Sequence, residues 1–234
     1  MKKPANSCQV TCSGKEKCIF QRLDPSIWAE IEKNAIYNSY KKHQAIFLQG
    51  TAPNGIFCVH SRKIKILMVN NEGKESIIRI ANPGTIIGHR ALFSNDVYHA
   101  SAIALEDSVV CFFHRDYILN LLKEQPLLAL ELLAQLSESV GASDALSATL
   151  VHKNVRERLA GLLIQLKEEY GIKEDNNYRL NIKLTREEMA AMIGTTHETL
   201  VRLVTEFKNE GIIIQEGKII IIINEQKLIE FANA

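Results

Sequence analysis

Leu184-Thr-Arg-Glu-Glu-Met-Ala-Ala-Met-Ile-Gly-Thr-Thr-His-Glu-Thr-Leu-Val-Arg-Leu-Val-Thr-Glu-Phe207 is the stretch that decides the fold, because it predicts two helices joined by a tight turn. Thr185 and Glu188 have the spacing of a capping box, in which each side chain satisfies a backbone amide at the start of a helix. Gly194 is expected to end that helix, since glycine adopts the left-handed conformation without a Cβ clash. The stretch therefore predicts a helix-turn-helix.

The second helix of this pair has two contrasting faces. Thr195 or Thr196 is expected to cap it. Its apolar stripe consists of Leu200, Leu203, Val204 and Phe207, and its outer face carries His197, Glu198, Val201 and Arg202. An arginine can donate to guanine O6 and N7, and a carboxylate can accept from cytosine N4, so Arg202 and Glu198 could read one G·C pair. The pattern favours a DNA reader, although a packed helical hairpin with solvated charges remains open.

The residues after this helix pair predict a β-hairpin. Gly211 stops the second helix, residues 212–214 and 218–223 have strand character, and Gln215-Glu-Gly217 supplies the turn. Helix-turn-helix followed by a hairpin is a winged helix. Arg186 and Lys218 would add positive charge beside the second helix. The basic residues expected to meet phosphate are Lys153, Arg156, Arg158, Lys183, Arg186, Arg202, Lys208 and Lys218.

Composition limits the class of protein. The chain has 234 residues, 46% of them hydrophobic, and a net charge of +1, while residues 151–234 hold 12 Lys and Arg against 13 Asp and Glu. No apolar run approaches the roughly 18 residues that a membrane span needs, and no signal peptide is evident, so we expect the protein in the cytoplasm. Double-stranded DNA is the partner expected from the helix-turn-helix.

The five cysteines of a cytoplasmic protein are expected to be thiols or metal ligands. The histidines are scattered and no nucleophile stands beside a base, so an enzyme is not expected.

The remaining pattern gives an α+β organisation. Residues 45–114 show short β-rich runs broken by turn signals, which is typical of an antiparallel sandwich or jelly roll. A long helical pattern follows, then a helix from Val155 to Tyr170 that ends at Gly171, and a polar connector at 173–177. The expected divisions are an N-terminal cysteine-containing segment at 1–20, a β-sandwich at 21–115, a dimerisation helix at 116–151 and a winged helix-turn-helix domain at 152–234.

The long helix carries a seam with alternating spacings of three and four residues: Leu133, Leu136, Val140, Ser143, Ser147 and Leu150. Such a seam suits the pairing of two copies of the helix in a homodimer. Packing of the same stripe on this chain's own sandwich is the alternative, and periodicity alone leaves both open.

The order of sandwich, long helix and winged helix resembles the CRP/FNR family of bacterial transcription regulators over residues 20 to 230. The segments that carry the resemblance, besides the helix pair, are Asn70-Asn-Glu-Gly-Lys-Glu75, Gly84-Thr-Ile-Ile-Gly88, Ala91-Leu-Phe93 and Asn154-Val-Arg-Glu-Arg-Leu159. The resemblance implies a homodimer on a palindromic operator with a TGA-containing half-site, and recruitment of RNA polymerase. Glu198 and Arg202 match the family's base-reading positions, whereas His197 and Val201 depart from them. Arg62 stands where the family usually has a turn glycine.

The effector is constrained by two departures from the cyclic-nucleotide branch of that family. That branch holds the ribose with a glutamate and the cyclic phosphate with an Arg-Ser pair, and the matching residues here are His89 and His99-Ala100. A phosphate without an arginine or hydroxyl partner would be poorly held. Cyclic AMP is therefore not expected, while another small molecule in the same pocket remains open.

The cysteines resemble those of the oxygen-sensing FNR branch, which implies a [4Fe-4S] cluster held by Cys8, Cys12, Cys18 and Cys111. The gap between Cys8 and Cys12 is one residue longer than in that branch. Three alternatives stay open: plain buried or redox-active thiols, a zinc ion on the three N-terminal cysteines with a histidine, and haem. Cys58 follows a strand pattern and is expected in the core. The histidines considered for haem are His60, His89, His99 and His114. A regulatory module that uses the winged helix to contact a protein is the remaining alternative to DNA binding.

Overall fold

The computed structural model describes residues 12–14, 16 and 18–232. The chain divides into two compact units, one up to Val140 and one from Gly141 onward. Within the described residues, none of the helices combines the length and the apolar character needed to cross a lipid bilayer.

The N-terminal unit opens with a 3-10 turn and a helix that the sequence analysis did not predict. The turn spans Ile19–Arg22, and helix α1 spans Pro25–Asn34. Asp24 caps α1, since its carboxylate accepts from the Ser26 amide at 2.9 Å, and Pro25 stands at the first helical position. These start signals were readable from the sequence.

The strands of this unit form two antiparallel sheets. Their order is β1-β8-β3-β6 in one sheet and β2-β7-β4-β5 in the other. This arrangement confirms the β-sandwich. The bounds are β1 Ile36–Tyr40, β2 Ala45–Phe47, β3 Gly55–Ser61, β4 Ile64–Val69, β5 Glu75–Ala81, β6 Ile86–Ile87, β7 Ser101–Ala104 and β8 Ser108–His114.

Alternation along β3 and β8 separates two apolar cores. Phe57 and Val110 belong to the core between the two sheets. Cys58 and Cys111, each one residue further along, belong to a second core on the other side of the β1-β8-β3-β6 sheet. Successive side chains of a strand point to opposite faces, so a shift of one residue moves a side chain from one core to the other.

Three details of this unit differ from the sequence expectation. The sequence did not predict strand β1. All five of its residues pair with residues 108–112 of β8. The family-like segment after Gly88 forms a short helix, α2 (His89–Ser94). Arg62, in the turn between β3 and β4, has a φ of 68°. This is the left-handed region that favours glycine, so the departure noted at this position carries backbone strain.

The long helical pattern is interrupted once. Helix α3 spans Arg115–Glu124 and helix α4 spans Pro126–His152. Gln125 leaves the helical region with φ −123° and ψ 79°. Proline has no amide hydrogen to continue the helix, and it disfavours helical geometry in the residue before it. The expectation of one continuous helical pattern was therefore wrong at Gln125.

The C-terminal unit contains the predicted winged helix and two further elements, a hairpin at 171–180 and a helix at 225–232. Helix α5 spans Val155–Tyr170 as predicted, and Asn154 and Glu157 form its capping box. The expected polar connector at 173–177 is instead a hairpin, with Asp175 at φ 52° in its turn. The other elements are β9 Gly171–Glu174, β10 Asn177–Leu180, α6 Arg186–Met192, α7 His197–Asn209, β11 Ile213–Glu216, β12 Ile219–Ile222 and α8 Glu225–Ala232, with sheet order β11-β12-β10-β9.

Candidate nucleic-acid interface and thiol cluster

Helices α6 and α7 meet at the turn that the sequence predicts. The Thr185 hydroxyl accepts from the Glu188 amide at 3.1 Å, and the Glu188 carboxylate accepts from the Thr185 amide at 3.0 Å. Gly194 has a φ of 63°. The cap of α7 is Thr196, whose hydroxyl accepts from the Thr199 amide at 3.2 Å. The helix-turn-helix therefore has the local geometry expected from the sequence.

The outer face of α7 is open, and its inner face is closed. Leu200 and Phe207 are fully buried, and Leu203 and Val204 nearly so. Phe207 packs beside Phe231 of α8, with ring centroids 5.8 Å apart. The residues proposed to read bases, which are His197, Glu198, Val201 and Arg202, are all exposed. A rigid amphipathic helix is thus fixed along one side and free along the other.

Arg202 has an ion-pair partner within its own helix. Its guanidinium donates to the Glu206 carboxylate at 2.7 Å, one helical turn further on, and its side chain is 65% exposed. A pair this exposed contributes little stability. It does hold the guanidinium along the helix surface, so base contact requires Arg202 to exchange one acceptor for another. The (i, i+4) spacing of an Arg and a Glu was the available signal.

Charges from α6 and from the hairpin turn meet near the start of α7. The imidazole of His197 lies 3.4 Å from the carboxylate of Glu187. Hydrogen bonds from the Glu187 backbone and from Thr185 hold the pKa of that carboxyl below its ordinary value, and His197 and Lys218 add to the effect. Lys218 therefore lies within electrostatic range of this corner. The predicted wing residue and the start of the recognition helix occupy one surface.

The remaining basic residues divide into exposed and internally engaged groups. Arg186 is half-buried, which lowers its pKa, and it contacts the Met189 sulfur at 3.3 Å. Arg156 pairs with Glu210 and lies over the Phe231 ring at 4.3 Å. Arg158 donates to backbone carbonyls, including that of Lys153 at 3.0 Å. Arg156 and Arg158 thus stabilise this unit, whereas Lys183, Lys208 and Lys218 are exposed.

Four cysteines occupy the core outside the β1-β8-β3-β6 sheet. Cys58 and Cys111 are 0% exposed, and Cys12 and Cys18 are 5% exposed. All four are thiols. A hydrogen bond with Cys18 and burial raise the pKa of the Cys58 thiol, and Cys111 and Cys12 act in the same direction. Cys8, the other ligand expected from the sequence, lies outside the described residues.

The chain around Cys12 is anchored to the sandwich by backbone contacts. The Cys12 thiol donates to the His60 carbonyl at 3.5 Å, and the Ser13 hydroxyl donates to the same oxygen at 3.2 Å. A Cβ on Gly14 would lie 2.0 Å from the Pro83 backbone. Only glycine permits this approach. The anchoring brings residues 12–14 against the turn that precedes β6.

The histidines considered for haem do not converge. His60 and His89 are buried, whereas His99 and His114 are exposed beside Asp96 and Asp116 respectively. In the part of the chain that the structure describes, three or more His, Cys, Asp or Glu side chains nowhere form a group suited to hold one metal ion.

The effector positions lack an anion clamp. His89 is buried, and burial lowers its pKa to about 4, with Arg79 and Arg90 adding to the shift. His99 turns outward to Asp96, and Ala100 has no hydroxyl. A cavity of about 560 Å³ is lined in part by Cys18, Arg79, Thr85 and Glu138, and its lining includes none of these three positions.

The seam of α4 is largely open in the single chain. Leu133 and Val140 are 59% exposed and Leu150 is 43% exposed, while Leu136 is half-buried. Ser143 and Ser147 are exposed too. The Ser147 hydroxyl donates to the Ser143 carbonyl at 3.0 Å within the helix. Because its donor is satisfied internally, this serine can be covered without loss of a hydrogen bond.

Comparison with known proteins agrees with this architecture. Residues 37–125 match the family description of a cyclic nucleotide-binding domain, and residues 157–231 match a Crp-like helix-turn-helix domain. The chain thus combines a domain of cyclic nucleotide-binding type with a DNA-binding domain of Crp-like helix-turn-helix type. It belongs to the CRP/FNR family of transcription regulators, and members of that family are regulators rather than enzymes.

Individual relatives come from both branches of this family. The chain is 26% identical over 210 residues to a CRP-like cAMP-activated global transcriptional regulator of Mycobacterium tuberculosis, covering 90% of this chain and 94% of the relative. It is 26% identical over 226 residues to a fumarate and nitrate reduction regulatory protein of Vibrio cholerae, covering 96% and 90%. A variant of CooA from Carboxydothermus hydrogenoformans superposes with a TM-score of 0.75 at 27% identity, covering 87% and 90%.

Proposed function

We propose that this DNA-binding regulator binds a palindromic operator as a homodimer and responds to oxygen through an iron-sulfur cluster. The outer face of α7, where Arg202 and Glu198 are exposed above a closed apolar stripe, is the observation that carries the operator-binding part. Chromosomal DNA and RNA polymerase are the partners that such a role requires, which places the protein in the cytoplasm.

Base reading rests on two side chains one turn apart. Arg202 supplies two donors in a fork that fits guanine, and Glu198 supplies an acceptor for the paired cytosine. His197 and Lys218 both lie within electrostatic range of the Glu187 carboxylate and offer contacts for the flanking DNA backbone. A near-neutral unit can bind DNA in this way because the positive charge is local.

Operator binding is tested by fluorescence anisotropy with a duplex that contains an inverted repeat of TTGA. Arg202→Ala and Glu198→Ala are each expected to weaken binding about 10- to 100-fold, since one good bidentate base contact is worth roughly 1–3 kcal/mol. Replacing the G·C pair of the half-site should abolish the difference between Arg202→Ala and the unaltered protein.

Lys227→Ala is the matched control for this test. Lys227 is a lysine of α8 whose ammonium lies 3.5 Å from the carboxylate of Glu210, the residue that follows the C-terminus of α7. The substitution Lys227→Ala removes one positive charge and leaves every residue of the outer face of α7 unaltered. Equal losses for Lys227→Ala and Arg202→Ala would reduce the effect to net charge and remove the base-reading role.

The homodimer is supported by the open apolar seam of α4. Leu133 and Val140 are its most exposed apolar members, and α4 contains three carboxylates and neither lysine nor arginine. Exposed leucines and valines repeated along one helix favour pairing with a second copy.

Val140→Glu is expected to convert the protein to a 26.3 kDa monomer in sedimentation experiments. A buried charge without a partner costs several kcal/mol, so the dissociation constant of the dimer should rise roughly 100-fold or more. Ser137→Glu places the same charge on α4 outside the seam and should leave the dimer intact. If both variants dimerise as the unaltered protein does, α4 is not the interface.

The sensing role is supported by the chemistry of the buried thiols. Cysteine thiolates are the usual ligands of iron-sulfur clusters, and Cys12, Cys18 and Cys111 share one core. When bound, such a cluster would supply sensitivity to oxygen, as the resemblance to the FNR branch implies. Arg22 of the N-terminal turn pairs with Glu131 of α4, and Leu128 of α4 joins the same core. Docking of the N-terminal segment thus bears directly on the helix proposed to dimerise.

An anaerobic absorption spectrum tests the sensing role. Broad visible absorbance that bleaches in air is expected. A sharp Soret band would replace the cluster by haem, and a colourless protein with no bound iron would overturn the iron-sulfur proposal.

A small-molecule effector is the second candidate, favoured by the cavity of about 560 Å³ beside Arg79 and Thr85. This volume falls within the range of ligand pockets. Cyclic AMP is not the expected effector, because at the positions matched to the cyclic-nucleotide branch His89 is buried and Ala100 lacks a hydroxyl for the phosphate. Calorimetric titration with cyclic AMP is expected to show no heat of binding, and a saturable signal would reinstate it.

A further inference from the structure

Strand pairing places Cys58 directly opposite Cys111. The two residues are register partners in the antiparallel pair β3–β8. Directly opposed residues project from the same face of a sheet, with Cβ atoms roughly 5 Å apart. Both side chains therefore enter the core outside the β1-β8-β3-β6 sheet. Cys58 is thus as well placed as Cys111, although the sequence analysis expected it only as core.

The N-terminal segment brings two more thiols to the same place. The Cys18 and Cys58 thiols are hydrogen-bonded to each other, and Cys12 lies within electrostatic range of Cys58. Cys12 is held there by its bond to the His60 carbonyl and by the contact of Gly14 with Pro83. Cys58 is therefore the thiol that the other three approach.

The donor set fits an iron-sulfur cluster in kind and number. Four thiols are soft ligands, and a four-iron cluster binds one cysteine at each iron. A cluster is larger than one ion, so its ligands stand further apart than those of a single-ion site; among the described residues no single-ion site is present. Of the four thiols, Cys18 also borders an open cavity.

We infer that Cys58 is a ligand of the cluster together with Cys12, Cys18 and Cys111, and that Cys8 is not required. This inference rests on the proposed iron-sulfur function. It accounts for the altered spacing between Cys8 and Cys12, because the N-terminal segment then supplies two ligands and the β1-β8-β3-β6 sheet supplies two. Each thiol loses its proton on binding iron, so cluster assembly releases protons.

The test uses the full-length protein reconstituted anaerobically with ferrous iron and sulfide. Iron and acid-labile sulfide per chain, and the electron paramagnetic resonance of the reduced protein, are measured for Cys8→Ser, Cys58→Ala and Cys111→Ser. Cys8→Ser is expected to keep the iron content and spectrum of the unaltered protein. Cys58→Ala and Cys111→Ser are expected to lose iron several-fold.

Cys8→Ser decides the matter even if Cys58→Ala does not fold. The chain has five cysteines, so removal of Cys8 leaves only the four proposed ligands. A four-iron cluster fully ligated by cysteine in Cys8→Ser then requires Cys58. Loss of iron in Cys8→Ser, or full iron content in folded Cys58→Ala, overturns the inference and leaves the iron-sulfur function standing. An unaltered protein that binds no iron overturns both.

Discussion

Helix α7 and the core that holds Cys12, Cys18, Cys58 and Cys111 are built in opposite ways. The residues on the outer face of α7 come from one continuous stretch, and those proposed to read bases are exposed, with charged side chains at Glu198 and Arg202. The four described thiols are spread along the sequence from Cys12 to Cys111, and all of them are buried. A local site depends on its own helix and the core beneath it. The thiol site depends on a whole sheet and on the docking of a distant segment.

The largest effect is expected from a substitution that removes part of the apolar core beneath α7 and leaves the N-terminal unit folded. Phe207→Ala deletes a fully buried ring and should destabilise the C-terminal unit by about 3–5 kcal/mol. Operator binding is expected to disappear, while the unfolding transition seen by fluorescence of Trp28 remains. Trp28 is the sole tryptophan and lies in the thiol-containing core, so it reports the N-terminal unit.

Ile214→Ala is the matched control, because Ile214 is 46% exposed on the hairpin. It should change stability by a small fraction of that amount. Retention of operator binding at full affinity in Phe207→Ala would show that α7 does not depend on this core.

Acid is expected to weaken the N-terminal unit next most strongly. The pKa of His89 is lowered from 6.5 to about 4 by burial, and by Arg79 and Arg90. Above pH 6.5 the imidazole is neutral in both states. As the pH falls from there toward 4, the unfolded chain takes up a proton that the folded protein does not, so stability falls by on the order of 3 kcal/mol.

Denaturant titrations followed by Trp28 fluorescence between pH 7 and pH 4 measure this slope. His89→Leu should remove much of the pH dependence, whereas His114→Gln alters an imidazole that is 64% exposed and should not. A slope that is the same in His89→Leu and in the unaltered protein would contradict the assignment to His89.

Docking of the N-terminal segment is expected to be sensitive to one methyl group. Gly14→Ala places a Cβ 2.0 Å from the Pro83 backbone, so residues 12–14 must move away. Overpacking of this kind costs roughly 1–3 kcal/mol. The rate at which a thiol reagent modifies Cys12 should rise. Gly161→Ala, where an added Cβ meets no atom within 4 Å, should leave that rate unchanged; equal rates in the two variants would remove the role of Gly14.

The contrast between local and distant construction also decides what the sequence could predict. The capping box at Thr185, the turn at Gly194 and the stripe beneath α7 are encoded by neighbouring residues, and all were predicted. Cys58 was expected in the core but not beside Cys18, because the partner strand and the register of β3 are set by the assembled sheet. Alternation along β3 predicts that Cys58 and Phe57 lie on opposite faces of the sheet. It does not predict which of these faces the N-terminal segment covers.

Two other differences between the expected and the observed structure, at Pro126 and at strands β9 and β10, also have a local or a distant cause. Pro126 carried a readable signal that the helical periodicity on both sides obscured. The strands β9 and β10 are short and polar, and they form because β12 offers β10 an edge to pair with. Tertiary pairing of this kind overrides weak strand propensity.

The smallest expected effect concerns the exposed pair on α7. Glu206→Ala releases Arg202 from the 2.7 Å contact and removes a carboxylate from the DNA-facing helix. An (i, i+4) pair this exposed is worth about 0.3–0.5 kcal/mol, so operator affinity should rise about twofold. Glu230→Ala removes the same charge from α8 and should have no such effect. In an Arg202→Ala background the gain from Glu206→Ala should vanish, because there is no guanidinium to release; a gain that persists would assign the effect to phosphate repulsion instead. If the gain does vanish, removing one exposed charge from α7 changes operator affinity by only about twofold, as expected for a solvated surface.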